Sequence, residues 1–170
     1  IRICLVGSEM CIRDRVNVTT HAETTGAELL EQLPRIDVLV AGIGTGGTLM
    51  GVGQRLRQRD PHLKMIGVEP KVGEHLQGLR SLEDGYRPPL LDLSQLNGRF
   101  LVSSAVALTT AQEVVRTEGV FAGVSSGAAL HAALRVAGRM ESGNIVVMFS
   151  DGAWKYLPVR PWKDAIRGNP

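Results

Sequence analysis

Lysine is the residue this chain most lacks. Of 19 basic residues only four are lysines, Lys64, Lys71, Lys155 and Lys163. Aromatic residues make up only 4% of the chain, so a core must be built from Val, Leu, Ile and Ala. Cysteine is confined to Cys4 and Cys11. Two such residues exclude a disulfide framework and a Cys-rich metal site, and no metal is expected. A reducing, cytoplasmic setting is the default expectation. Neither charge sign dominates, with 19 Lys and Arg against 17 Asp and Glu. No basic stripe interleaved with aromatics is present, so nucleic acid is not an expected partner. The longest uncharged run, Val38–Gln54, holds 17 residues, six of them glycine. That is too short and too interrupted to span a bilayer. The amino terminus has no initiator Met and no signal-peptide pattern, so the natural start is expected upstream.

Glycine is in surplus: 20 of 170 residues, or about 12%, against a usual ~7%. There is no collagen period, so the excess belongs in tight backbone sites. Ile1–Arg15, IRICLVGSEMCIRDR, shares no composition with the rest and resembles a translated sequencing adapter. The alternative for it is a strand at Ile1–Val6 with a short helix. Residues 16–160 are expected to form the domain and 161–170 a tail.

From His21 onward the pattern is regular. Thr24 and Thr25 open a helix carrying Leu29, Leu30 and Leu33 and ending at Pro34. Ile36–Ala41 is an apolar run of strand length. It feeds Gly42-Ile43-Gly44-Thr45-Gly46-Gly47-Thr48, then a helix through Leu49, Val52 and Leu56 that stops at Asp60-Pro61. A second strand is expected over Leu63–Glu69, which completes a strand–helix–strand unit. Pro70–Asp92 reads as a long loop, functional or mobile. An edge strand is expected at Phe100–Val102 and helices at Ala105–Glu118 and Ala128–Met140. A last strand covers Asn144–Phe149. Strands alternate with helices, which predicts an α/β fold with an open, mostly parallel sheet flanked by helices.

Three segments carry candidate chemistry. Gly42–Thr48 is a glycine-rich turn between a strand and a helix, where unpaired N–H groups and the helix dipole attract an anion. Thr45 and Thr48 add hydroxyls. A turn built only for close helix packing would use similar residues. The same turn fits G-x-G-x-x-G at Gly42, Gly44 and Gly47, and Glu69 could then hold a ribose, so a dinucleotide (NAD) site is an alternative. Gly123–Ala129, GVSSGAA, places small residues and hydroxyls before a helix. It fits a nucleophile elbow in form, but the fold that uses one needs a His after the acid. The histidines are His21, His62, His75 and His131, and none follows Asp151. Asp151-Gly152 ends the last strand, where open parallel sheets bind ligands.

In this order HAETTGAE (His21–Glu28), VAGIGTGGTLMGVG (Val40–Gly53), IGVEP (Ile66–Pro70), EGVFAGVSSGAALHAAL (Glu118–Leu134) and IVVMFSDGAWKYL (Ile145–Leu157) form a specific set. Together they resemble the C-terminal half of cysteine synthases, fold-type II pyridoxal-phosphate enzymes. LRSLEDG (Leu79–Gly85) and SDGAWKYL resemble the actinobacterial branch that uses O-phosphoserine and a sulfur-carrier protein. The resemblance implies that Gly44, Thr45, Gly46, Gly47 and Thr48 hold the cofactor phosphate. It implies that Ser125 bonds the pyridine nitrogen and that Arg80 binds the substrate phosphate. A neutral Ser partner makes the cofactor a weaker electron sink, which suits β-elimination over transamination, and the implied reaction is β-replacement. The implied substrate is a small amino acid, and the implied assembly a homodimer.

The resemblance also implies a Schiff-base lysine in the family's N-terminal half. None of the four lysines here sits in such a context. The chain as given is therefore expected to be inactive alone. A lysine-less, non-catalytic relative is the remaining alternative.

Overall fold

The computed structural model describes residues 13–85 and 87–156. Most of the expected leader, the chain from 157 onward, Cys4, Cys11 and Lys163 lie outside them. The strands are β1 (Val38–Gly42), β2 (Lys64–Pro70), β3 (Gly98–Val102) and β4 (Ile145–Val147). They form one parallel sheet in the order β3-β2-β1-β4. The helices are α1 (Arg15–Glu23), α2 (Thr25–Gln32), α3 (Gly47–Arg57), α4 (Ser104–Glu118) and α5 (Val124–Ala137). The expected α/β class is the one that forms.

Side chains alternate across a strand, and here both faces are covered. From β1, Leu39 and Ala41 join Leu49 and Val52 of α3, with Leu29 and Leu30 of α2 behind them. Val38 and Val40 point the other way, into a layer with Ala107 of α4 and Ala128 and Ala132 of α5. A strand buried on both sides needs no polar alternation. That is why this segment reads as one apolar run.

Element boundaries shift from expectation, β3 for example starting at Gly98 rather than Phe100, and three differences bear on the site. The last strand shortens to Ile145–Val147. It pairs only with β1 among the described residues, and the Met148 N–H makes a final bond to the Val40 carbonyl at 2.9 Å. Helix α5 starts at Val124 rather than Ala128, which puts Ser125 and Ser126 in its first turn. Small residues allow this early start: a Cβ on Gly127 would lie 2.1 Å from the Ala107 carbonyl of α4. Helix α1 was not expected at all. It is a polar helix with no buried residue.

The order of connections creates the site. The chain leaves β1 through α3 on one face and pairs β2 alongside, with β3 beyond it. It returns through α4 and α5 on the opposite face and adds β4 on the other side of β1. Strands β1 and β4 are therefore neighbours whose connections run on opposite faces. Such a switch point leaves a crevice at the carboxyl ends of the strands.

Candidate functional site

Four segments converge on that end of the sheet. The first is the glycine turn after β1. Gly46 has φ 85°, the left-handed region, and caps α3 without a side-chain bond. Only glycine adopts that conformation readily. Gly46 itself offers no side-chain acceptor to the first N–H groups of α3, although Thr45 Oγ1 takes the Gly47 N–H at 3.2 Å, and the helix dipole adds positive potential there.

The second segment is the loop after β2, folded back over the turn. The Arg80 N–H donates to the Ile43 carbonyl at 2.8 Å. Leu79 fills the space where Gly42 lacks a side chain: a Cβ there would meet Leu79 Cδ2 at 2.3 Å. Arg80, expected near the substrate, is thereby anchored beside the glycine turn. Its neighbour Ser81 is 2% exposed, and its Oγ has no partner among the described residues.

The third and fourth segments are stitched to each other. Ala122 and Gly152 form an antiparallel bridge, the Gly123 N–H donates to the Asp151 carbonyl at 2.9 Å, and the Ala153 N–H donates to the Phe121 carbonyl at 3.0 Å. Helix α5 therefore begins at the carboxyl end, beside β4. Ser125 is 5% exposed and Ser126 is fully enclosed at 0%. Of the two, only Ser125 has surface to offer a ligand. Asp151 accepts from the Tyr156 hydroxyl at 2.5 Å, and Lys155 lies 3.8 Å from the same oxygen. Burial and the adjacent Asp151 carboxylate push the Tyr156 pKa well above its ordinary value, so Tyr156 stays a neutral donor.

Helix α1 supplies what sequence reasoning missed. Asn17 Nδ2 donates to Thr45 Oγ1 at 3.2 Å, and the Gly47 N–H donates to the same oxygen at 3.2 Å. His21 Nε2 lies 3.0 Å from Thr48 Oγ1. Partial burial lowers the His21 pKa, which keeps the ring neutral at pH 7. With its hydrogen on Nε2 the ring donates and leaves the Thr48 O–H for a ligand; with Nε2 bare it takes that hydrogen itself. No composition signal marks these residues, because α1 packs by notches. A Cβ on Gly51 would lie 2.2 Å from the Val18 carbonyl, and one on Gly47 would lie 2.2 Å from Asn17 Oδ1.

The dinucleotide alternative loses its acid. Glu69 is 0% exposed. Its Oε2 accepts from the Leu82 N–H at 2.6 Å and its Oε1 from Arg99 Nη1 at 2.9 Å. Both oxygens are committed to the fold, so no ribose reaches them. Nor is there a well-placed activated lysine among the described residues. Lys64 is exposed at the amino end of β2, Lys71 is exposed, and Lys155 is exposed beside Asp151. A lysine nucleophile needs desolvation or a cationic neighbour.

Two clefts lie away from this end of the sheet. A cleft of about 340 Å³ lies by Arg87 and Arg99, and one of about 410 Å³ lies between α1 and Pro89–Asp92. Neither includes the glycine turn. The convergence of four chain segments at a switch point is the more specific signal. Among the described residues no three His, Cys, Asp or Glu side chains converge as a metal site. No described helix is long and apolar enough to cross a membrane.

Known proteins share this arrangement. Residues 10–151 match the pyridoxal-phosphate dependent enzyme family. A cysteine synthase of Aquifex aeolicus is 38% identical over 154 residues, 87% of this chain and 47% of that protein. A cysteine synthase of Staphylococcus aureus is 36% identical over 140 residues, 77% of this chain and 45% of that protein. The chain spans about half the length of the curated relatives it matches. Crystal structures of O-ureido-L-serine synthase superpose with a TM-score of 0.80 at 30% identity, over 89% of this chain and about half of theirs. One of them is a lysine-to-alanine mutant with O-ureido-L-serine bound.

Proposed function

Because this chain belongs to the pyridoxal-phosphate dependent enzyme family, we propose that it supplies the phosphate and ring-nitrogen sites of a cysteine synthase acting on O-phosphoserine. The observation that carries the cofactor site is the Thr45 hydroxyl. Both of its acceptor positions are taken by N–H donors, so its remaining capacity is to donate. A helix N-terminus whose cap residue, Gly46, carries no side chain and an outward O–H donor form a donor set that fits a phosphate dianion. Gly44, Thr45, Gly46, Gly47 and Thr48 would hold that phosphate. Ser125 would meet the pyridine nitrogen with a neutral hydroxyl, which does not keep a proton on the ring.

Bound there, pyridoxal phosphate supplies the electron sink for exchanging the β-substituent of an amino acid for sulfur. The residues of this chain bind and orient it. The Schiff-base lysine belongs to a part of the protein outside this sequence. The 170-residue chain alone is accordingly inactive. Purified alone with cofactor, it should release no phosphate from O-phosphoserine, and measurable release would refute this assignment.

Arg80 carries the choice of substrate. Its backbone is held by Ile43 beside the glycine turn, and a guanidinium offers a two-pronged match to a phosphate. In the full-length protein Arg80→Ala should raise KM for O-phosphoserine about 10- to 100-fold, since hydrogen bonds to charged groups contribute ~1.5–3 kcal/mol. O-acetylserine, which carries no second anion, should change little. Equal effects on both substrates would remove Arg80 from this role. A sulfur-carrier protein as donor, a cytoplasmic setting and a homodimeric assembly belong to the same proposal, by analogy with the branch that LRSLEDG resembles.

A further inference from the structure

We propose that Asn17 of helix α1 is a positioning residue that commits the Thr45 hydroxyl to donate outward. The inference rests on the phosphate reading of the glycine turn and adds a residue from outside that turn. A threonine hydroxyl has one hydrogen and two acceptor positions. Left alone beside a helix N-terminus, Thr45 Oγ1 is free to spend its hydrogen on a neighbouring carbonyl. Here the Gly47 N–H occupies one acceptor position and Asn17 Nδ2 the other, both at 3.2 Å. Two donors aimed at one oxygen leave its hydrogen nowhere to point except away from both. The amide group that does this sits against Gly47, in the gap left by the missing Cβ. The glycine is thus needed for the room it leaves the second donor; its own N–H is one that any residue but proline would supply. Helix α1 acts as a second layer behind the turn.

The sign of the side chain at 17 decides the outcome. Asn17→Ala removes one donor and lets the hydroxyl rotate. Asn17→Asp replaces a donor with an acceptor, which takes the Thr45 hydrogen for itself and adds a negative charge near the anion site. The test is equilibrium binding of pyridoxal 5′-phosphate and of pyridoxal, which lacks the phosphate, to the full-length apoprotein, followed by absorbance and fluorescence. Asn17→Ala should weaken pyridoxal phosphate about 3- to 10-fold, and Asn17→Asp about 30-fold or more. Pyridoxal binding should be unchanged in both. In a Thr45→Val background, Asn17→Ala should add nothing further, a coupling that general loosening of the fold does not produce. Additive losses in that cycle, or equal losses for pyridoxal, would overturn the role of Asn17. If the unsubstituted protein binds the two ligands equally, the phosphate reading itself fails, and the two failures are distinguished.

Discussion

Glu69→Ala is expected to cost about 3 kcal/mol of folding stability. The carboxylate is completely buried and makes two bonds of different kinds. Removing it strands the Leu82 N–H, and an unsatisfied buried donor costs ~1–3 kcal/mol. It also leaves Arg99 without its 2.9 Å partner. Breaking a buried ion pair from one side costs ~3–5 kcal/mol when the remaining charge is sealed from water. Arg99 is not sealed: its side chain is 36% exposed and lies 3.4 Å from Glu83. Water and Glu83 take up part of the loss, which places the sum at the lower end of that range. Glu69→Gln keeps the shape and one acceptor for Leu82, so about half that cost is expected. Equilibrium denaturation of the full-length protein measures both. A loss under ~1 kcal/mol for the alanine variant, or a glutamine variant as damaged as the alanine one, would show that the pair does not hold the loop. Because Glu69 anchors Leu82 while Ile43 anchors Arg80, the alanine variant should also loosen the segment that carries the proposed substrate arginine.

The case of Glu69 shows what a sequence makes legible. An acid at the end of a strand after G-x-G-x-x-G has the spacing of a ribose ligand. Nothing in the sequence distinguishes it from an acid consumed internally, because its partners are 13 and 30 residues away. The strands β1 and β2 and the helices α2 and α3 were legible because apolar burial imposes periodicity on them. The glycine turn was legible because its backbone demands a residue type. Helix α1 was not. It gains contact by close approach to Gly47 and Gly51, with Val18 partly buried against the core and no residue fully buried, so there is no apolar stripe to read. Ser125 and Arg80 are proposed from ordered motifs rather than periodicity. Their meeting at one end of the sheet follows from strand order, which short-range patterns do not encode.

Gly47→Ala should weaken pyridoxal phosphate binding about 100-fold while changing stability by only ~1 kcal/mol. Two effects on stability oppose each other. Alanine is the better helix residue by ~1 kcal/mol, and overpacking costs ~1–3 kcal/mol. The added methyl would lie 2.2 Å from Asn17 Oδ1, 2.4 Å from its Cγ and 2.7 Å from its Nδ2. The amide must swing out, and α1 can yield because none of its side chains is fully buried, Val18 being only partly covered against the core. The fold therefore survives at modest cost. The anion site does not fare as well, since it loses the donor that orients Thr45 and the close geometry of the first α3 turn. The lost orientation of Thr45 accounts for about 3- to 10-fold, as for Asn17→Ala, and one displaced hydrogen bond to a charged group adds ~1.5–3 kcal/mol, which together come to about 100-fold. Gly53→Ala on the same helix is the matched comparison. Its Cβ would meet Met65 Cε at 2.2 Å, the far end of a flexible thioether that can move aside. Cofactor titration and thermal midpoints for the two variants should separate them: affinity lost at 47 and retained at 53. If both variants bind alike, close approach at Gly47 serves helix packing, and the anion site lies elsewhere at the carboxyl end of the sheet.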